Sequence, residues 1–245
     1  MNSKLLTRLI LPTLIQGTSI AASVSYSVET NIGPSGTLFS DAGNRDNWTG
    51  SDIGNWRAQS QSGLIYLRNH NGGDDIITRT NDSNFSFTIG PAVTSFSILI
   101  DARIDTFWEA GINASGGGPQ LLIGGDFNDS NNFFINFNGT RYNSDAGLAN
   151  VGTNGGNIAT LRLDYDVING TADLVYDPSG ANQVLVNDAA LNITATQIQN
   201  MDQLYARAGN QFAGAGNWTI TTVPEPSSAA LLGLGGLGLL LRRRK

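Results

Sequence analysis

The sequence has no cysteine, one histidine (His70) and two methionines among its 245 residues. Without cysteine there is no disulfide, no thiolate-bound metal and no thiol nucleophile. A single histidine excludes a multi-histidine metal centre. Charge is sparse: 14% of residues are charged, and 20 acids against 14 bases leave a net −6. Lysine is missing altogether between residues 22 and 222, where 8 arginines face 19 acids, a net −11. The bases that soften the total sit at the two ends. An acidic body with no basic stretch has no electrostatic footprint for nucleic acid. That body also lacks a heptad pattern, a fixed-period repeat and any long apolar run. What is abundant is glycine (30) and asparagine (26). With so few charges, that composition predicts a turn-rich all-β chain.

The ends read as targeting segments. Residues 1–22 have a short positive region (Lys4, Arg8), an apolar stretch at Leu9–Ile15 broken by Pro12, and small-residue cleavage sites at Ser19-Ile20-Ala21 and Ala21-Ala22-Ser23. This is the layout of a secretory signal peptide, handled by the general secretion machinery. The apolar stretch is much shorter than the ~18–20 residues of a spanning helix. At the other end, residues 223–245 run Val223-Pro224-Glu225-Pro226, then Ser227-Ser228, then the apolar Ala229–Leu241, then Arg242-Arg243-Arg244-Lys245. Prolines resist helix and mark an extended segment. Thirteen apolar residues at ~1.5 Å rise reach about 20 Å, against a hydrocarbon core near 30 Å. Such a segment tethers a chain transiently, with the arginines on the cytoplasmic side.

Val-Pro-Glu-Pro, a short apolar helix and Arg-Arg-Arg in that order resemble the PEP-CTERM sorting signal of Gram-negative bacteria. The resemblance implies recognition by the membrane enzyme exosortase and delivery to the outer surface or extracellular matrix. It implies Pro224, Glu225 and Pro226 as the recognition element, Ala229–Leu241 as a transmembrane sorting helix, and Arg242, Arg243 and Arg244 as the cytoplasmic stop. It identifies an address and no activity.

Residues 23–222 read as one β domain. The strongest local signal is Leu161–Ile168, Asn169-Gly170 and Thr171–Asp177. Asn-Gly favours a two-residue type I′ turn. That turn would place Ile168 opposite Thr171, Tyr165 opposite Leu174, Leu163 opposite Tyr176 and Asp166 opposite Asp173. Further strands are expected at Leu64–Arg68, Ile76–Thr80, Phe85–Ile89, Thr94–Ile104, Gln120–Ile123, Phe133–Phe137, Leu191–Thr196, Gln203–Arg207 and Trp218–Val223. Phe96–Ile100 suggests a central strand covered on both sides, and 189–201 could hold one short helix. Many strands between frequent turns predict an antiparallel two-sheet β-sandwich. The order of elements, from Phe85-Ser86-Phe87 through Leu122–Gly125 and Phe134–Phe137 to Met201–Arg207, resembles a LamG or concanavalin-A-like jelly roll. That resemblance implies a rigid scaffold with function in rim loops, and it spans lectins, adhesion modules, glycosidases and lyases alike.

Candidate sites are few. His70 lies in a polar loop, and no G-x-S-x-G elbow is present. The body has two glutamates, Glu29 and Glu109. The spacing Asp101, Asp105, Glu109 does not bring two carboxyls to glycosidase separation on a strand. Oxygen-rich Asp126, Asn128 and Asp129 are candidate calcium ligands, and Asp166 facing Asp173 is a second candidate spot. Trp48, beside Asn44, Arg45 and Asp46, is the tryptophan whose neighbours suggest an exposed, sugar-stacking ring; Trp56, Trp108 and Trp218 read as core. The expected function is an exported, non-enzymatic binding or structural protein, with extracellular polysaccharide as a partner. The alternative is a carbohydrate-active enzyme, a hydrolase or lyase, on the same scaffold. Two or more carboxyls converging with an Arg or Tyr in the concave face would favour the alternative.

Overall fold

The computed structural model describes residues 21–225 except 42, 44, 72, 105, 127–131, 145–156, 178, 181 and 210–212. Ala21–Pro224 form one compact unit. In chain order its elements are β1 (Ala22–Ser27), α1 (Val28–Asn31), β2 (Trp48–Gly50), β3 (Trp56–Gln61), β4 (Leu64–Asn69), β5 (Asp75–Thr80), β6 (Val93–Ile104) and β7 (Trp108–Ala114). They continue as β8 (Gln120–Asp126), β9 (Asn132–Phe137), β10 (Thr140–Asn143), β11 (Asn157–Asp166), β12 (Thr171–Tyr176), β13 (Gln183–Ala190), α2 (Ala195–Gln199), β14 (Met201–Ala208) and β15 (Gly214–Pro224).

The strands form a six-stranded sheet ordered β1-β15-β6-β11-β12-β13, a seven-stranded sheet ordered β10-β9-β8-β7-β14-β5-β2 and a separate two-stranded sheet of β3 and β4. Every ladder among the described residues is antiparallel. Alternation puts one side of each strand inward. Ile98, Ile100, Leu161, Leu163 and Trp218 of the first sheet join Trp108, Ile112, Ile123, Ile135 and Leu204 of the second in one apolar core. The expected all-β sandwich is therefore present. Among the described residues no helix is long and apolar enough to cross a membrane. Residues 1–20 of the expected signal peptide (1–22) and the apolar run 229–241 lie outside them.

Several sequence expectations need correction. β11 pairs β12 two residues out of the expected register: Asp166 faces Thr171, Leu163 faces Leu174 and Asp164 faces Asp173. The reason is the turn. The carboxylate of Asp166 accepts the backbone N–H of Ile168 (2.8 Å) and of Asn169 (2.9 Å), and the Asn169 amide (2.7 Å). Gly170 N–H closes onto the Asp166 carbonyl at 2.8 Å, and of the Asn-Gly pair only Gly170 has a positive φ, 71°. The loop is thus Val167–Gly170, four residues and not two. A slip of two keeps side-chain parity, so Leu163, Tyr165, Ala172 and Leu174 still face the core.

β6 is central, as expected, but only its inward side is buried; Ser95, Ser97, Leu99 and Asp101 are half-exposed. Phe85–Ile89 alternates buried and exposed without entering a ladder, pinned by the Asn81 amide on the Phe87 carbonyl (2.8 Å). Leu191–Thr196 is no strand either. Thr194 and Gln197 form a reciprocal capping box that starts α2. At the C-terminal end, β15 runs through Val223 to Pro224, so the domain takes two residues expected to belong to the sorting segment.

Candidate functional site

The outward face of the seven-stranded sheet carries a cluster that the alternation of β7 sets up. Trp108, Ala110 and Ile112 point into the core, which turns Glu109 to the other face. Across the ladders, Glu109 lies opposite Arg207 of β14 on one side and Gly124 of β8 on the other; Gly124 in turn lies opposite Phe134 of β9. Asn136 faces Arg141 of β10 one rung away. Gly124 is needed here, because a Cβ at that position would overlap the Phe134 ring and lie 2.8 Å from the Trp108 carbonyl.

Glu109 is 1% exposed, and both its oxygens are engaged. Asn136 Nδ2 donates to Oε1 at 2.6 Å, and Arg207 Nη1 donates to Oε2 at 2.9 Å. Arg141 Nη2 stands 3.9 Å from Oε1. Arg207 also donates through Nε to Asp74 at 2.7 Å, and Arg141 reaches Asp126 at 3.7 Å. Phe107 packs between the two cations, 4.7 Å from the Arg207 guanidinium and 5.1 Å from that of Arg141, and stacks on Phe134 at 6.4 Å. The Arg207 side chain is 26% exposed and that of Arg141 37%. The cluster therefore has a buried anionic floor and a solvent edge where guanidinium donors and the Asp74 carboxylate flank an aromatic ring.

Two of these groups are shifted by their surroundings. Hydrogen bonding to Asp74 raises the Arg207 pKa; burial opposes it and Glu109 adds to it. Burial, and then the Glu109 charge, push the nearby Tyr205 phenol up, so it stays protonated at neutral pH. The phenol and the guanidinium groups offer donors; Asp74 offers acceptors. Charge-assisted pairs of this kind are the stronger class of hydrogen bond.

The outward face of the six-stranded sheet is different in kind. It carries Ser25–Thr219 (2.9 Å) and Ser23–Thr221 (3.1 Å) hydroxyl pairs, and Asp101 bridged by Thr160 (2.7 Å) and Asn217 (2.9 Å). A groove of about 360 Å³ opens on it, lined by Ser97, Asp164, Asp166, Thr171, Asp173 and Asp188 among others. Its carboxylates are already committed. Arg162 holds Asp164 at 2.8 Å, Asp166 closes its own turn, and Asp173 accepts the Asp188 N–H at 2.7 Å.

The residues singled out in the sequence scatter. Trp48 is 1% exposed and belongs to the core; its indole N–H donates to the Tyr26 hydroxyl at 2.8 Å, and its ring lies 5.6 Å from that of Trp218. It is not a surface ligand. Its polar neighbour Asp46 serves buried Arg79 at 3.0 Å instead. Trp56, Trp108 and Trp218 are buried as expected. Asp166 and Asp173 line one groove but do not face each other. Asp126 ends β8 beside Arg141, while Asn128 and Asp129 fall outside the described residues. Among those residues no three His, Cys, Asp or Glu side chains converge to hold a metal. His70 is exposed on its loop. Pro224 pairs with Val93 at the end of β15, Glu225 follows it exposed, and Pro226, Arg242, Arg243 and Arg244 fall outside the described residues. Sequence reasoning missed Arg207, Arg141 and Phe107. One signal was available: Glu109 is an acid set between Trp108 and Ala110, in a stretch that would otherwise read as core.

Residues 222–245 match the PEP-CTERM protein-sorting motif. The motif indicates an exported, membrane-transiting protein of Gram-negative bacteria and implies processing by exosortase. None of the curated proteins matches the sequence. Among solved structures the chain is similar to a lectin from Bauhinia forficata in complex with GalNAc, at 13% identity and a TM-score of 0.47, covering 83% of this chain and 99% of that one. It is also similar to arcelin-5, a lectin-like defence protein from Phaseolus vulgaris (12%, 0.48, 84% and 99%), and to lectin II from Ulex europaeus (10%, 0.48, 84% and 100%). At these identities and scores no argument about function rests on them.

Proposed function

We propose that the mature protein is a non-enzymatic carbohydrate-binding component of the outer surface or the extracellular polysaccharide matrix. In this reading the ligand meets the solvent edge around Asp74, Phe107, Arg141 and Arg207. The observation that supports it most is the placement of two guanidinium groups and a carboxylate around one aromatic ring, held rigid by the buried Glu109. A sugar presents hydroxyls that both donate and accept, over an apolar C–H face. Arginine and aspartate match the hydroxyls, and Phe107 matches the C–H face.

A carbohydrate-active enzyme is the second reading, because Glu109 and Asp74 do converge on Arg207 with Tyr205 near. Against it stands the state of Glu109: it is buried, with each oxygen hydrogen-bonded within the protein and almost no surface open to a substrate. A glycan array probed with the exported product tests both readings. Binding that falls with Arg207→Met and Arg141→Met and survives chelation supports the proposal. Shortening of a bound polysaccharide would establish the enzyme instead, and an array with no hits would remove the carbohydrate reading.

A further inference from the structure

The polypeptide enters and leaves the domain on neighbouring strands at one rim. Ala22 opens β1 opposite Thr222 of β15, and β15 ends at Pro224 opposite Val93. From Pro224 the chain reaches Ala229, the start of the apolar run, in five steps, about 17 Å at full extension. A domain tethered through that run therefore keeps this rim close to the bilayer.

The same rim presents apolar side chains to solvent. Ile168, at 74%, is the most exposed large apolar side chain among the described residues, and Val223 is 43% exposed. Pro91 and Ala92 are exposed beside them, before β6. Val223 and Asp166 both pair with Ser95, from opposite sides of β6. At ~4.8 Å per strand, the Ile168 loop and the chain exit stand about 10 Å apart. Thr94 ties them together: its carbonyl accepts the Val167 N–H at 2.9 Å, and its hydroxyl donates to the Val223 carbonyl at 3.1 Å. Ile168 is not a floppy tip. The Asp166 carboxylate accepts the Ile168 N–H and the Asn169 N–H, which fixes the loop with the isoleucine outward.

We propose that, while the sorting segment is in the membrane, this rim docks on the lipid surface with Ile168 at interfacial depth. The inference rests on the tether that the PEP-CTERM match supplies and is independent of any carbohydrate ligand. The strands then stand end-on to the bilayer, and both outward sheet faces stay open to solvent.

The absence of cysteine makes the test clean. Ile168→Cys, and Ser179→Cys as the control past the far end of β12, each carry a polarity-sensitive fluorophore in the full chain reconstituted into phosphatidylcholine vesicles. Neither position is buried, and unchanged tryptophan emission confirms folding. The label at 168 is expected to shift to the blue and to be quenched by a bilayer-embedded quencher. The label at 179 keeps its aqueous spectrum, and a chain ending at Ser228 shows neither effect at 168. An aqueous spectrum at 168 while the chain pellets with vesicles would overturn the proposal. So would equal quenching at both sites, or failure of the full chain to pellet at all.

Discussion

Arg207 and Glu109 form a pair whose two halves should not cost the same to remove. Arg207 is about a quarter exposed and keeps Asp74 as a second partner; Glu109 is 1% exposed and depends on the protein alone. Arg207→Met strands the carboxylate: Asn136 still donates to Oε1, but Oε2 loses its donor and the nearest remaining cation is Arg141 at 3.9 Å. Removing one partner of a buried pair in this way costs about 3–5 kcal/mol. Glu109→Gln keeps the shape and an acceptor for Asn136, and leaves Arg207 on Asp74, so it costs about 1–3 kcal/mol. For a domain of this size each kcal/mol moves Tm by roughly 2–4 °C. Urea titration followed by the four buried tryptophans reads both variants. The sharper signature is the double variant. With Glu109 neutralised, the loss of Arg207 no longer strands a charge, so Arg207→Met/Glu109→Gln is expected to be more stable than Arg207→Met alone. If the two losses simply add, or Glu109→Gln proves the costlier single change, Glu109 is not the buried keystone described above.

Three further outcomes follow from the same geometry. Gly124→Ala forces the Phe134 ring off its seat and is expected to cost about 1–3 kcal/mol of stability, and to weaken glycan binding through Arg141; unchanged thermal melts would refute this. Asp166→Ala is expected to cost about 1 kcal/mol, as for loss of a capping side chain. Hydrogen bonds from Asn169 and Ile168 hold the Asp166 pKa below its ordinary value. Its contribution is thus complete above about pH 4 and lost as pH falls through the lower folded value, so the variant's acid limb should be flatter. At the other extreme, burial raises the pKa of Tyr26, Tyr165 and Tyr205. The stabilisation they lend is intact below the unfolded value near 10 and declines as pH rises beyond it. Ultraviolet titration should show these three phenols ionising only together with the loss of tryptophan burial.

The hairpin β11–β12 shows what could be read in advance and where reading stopped. Side-chain parity is a local property of alternating sequence, so the apolar face was legible. Register depended on whether Asn-Gly or Asp166 governed the turn, and an aspartate three residues upstream won. β7 was invisible because all seven of its residues are buried, so Trp108–Ala114 shows no exposed alternation to detect. β13 was hidden by irregular pairing with β12 around Leu174. Phe85–Ile89 had the pattern of a strand, but alternation reports burial on one side and says nothing of a hydrogen-bonded neighbour. The binding cluster was illegible for a plainer reason. Glu109 and Arg207 are 98 positions apart, and only the pairing of β7 with β14 makes them neighbours. The sorting motif was legible because its information is carried by contiguous residues.

The ladder between β1 and β15 ties positions as far apart as Ser23 and Thr221, 198 residues along the chain. Secretion delivers the N-terminal end first. The opening strand thus crosses the membrane with nothing to hydrogen-bond to, and Trp218 and Ile220 reach the core last. Distant pairings of this sort are slow to form. The sandwich stays incomplete, and so threadable, until translocation has almost finished. The next residues to arrive are the rest of the PEP-CTERM sorting motif. Final folding and delivery of the sorting motif thus fall at nearly the same moment of export.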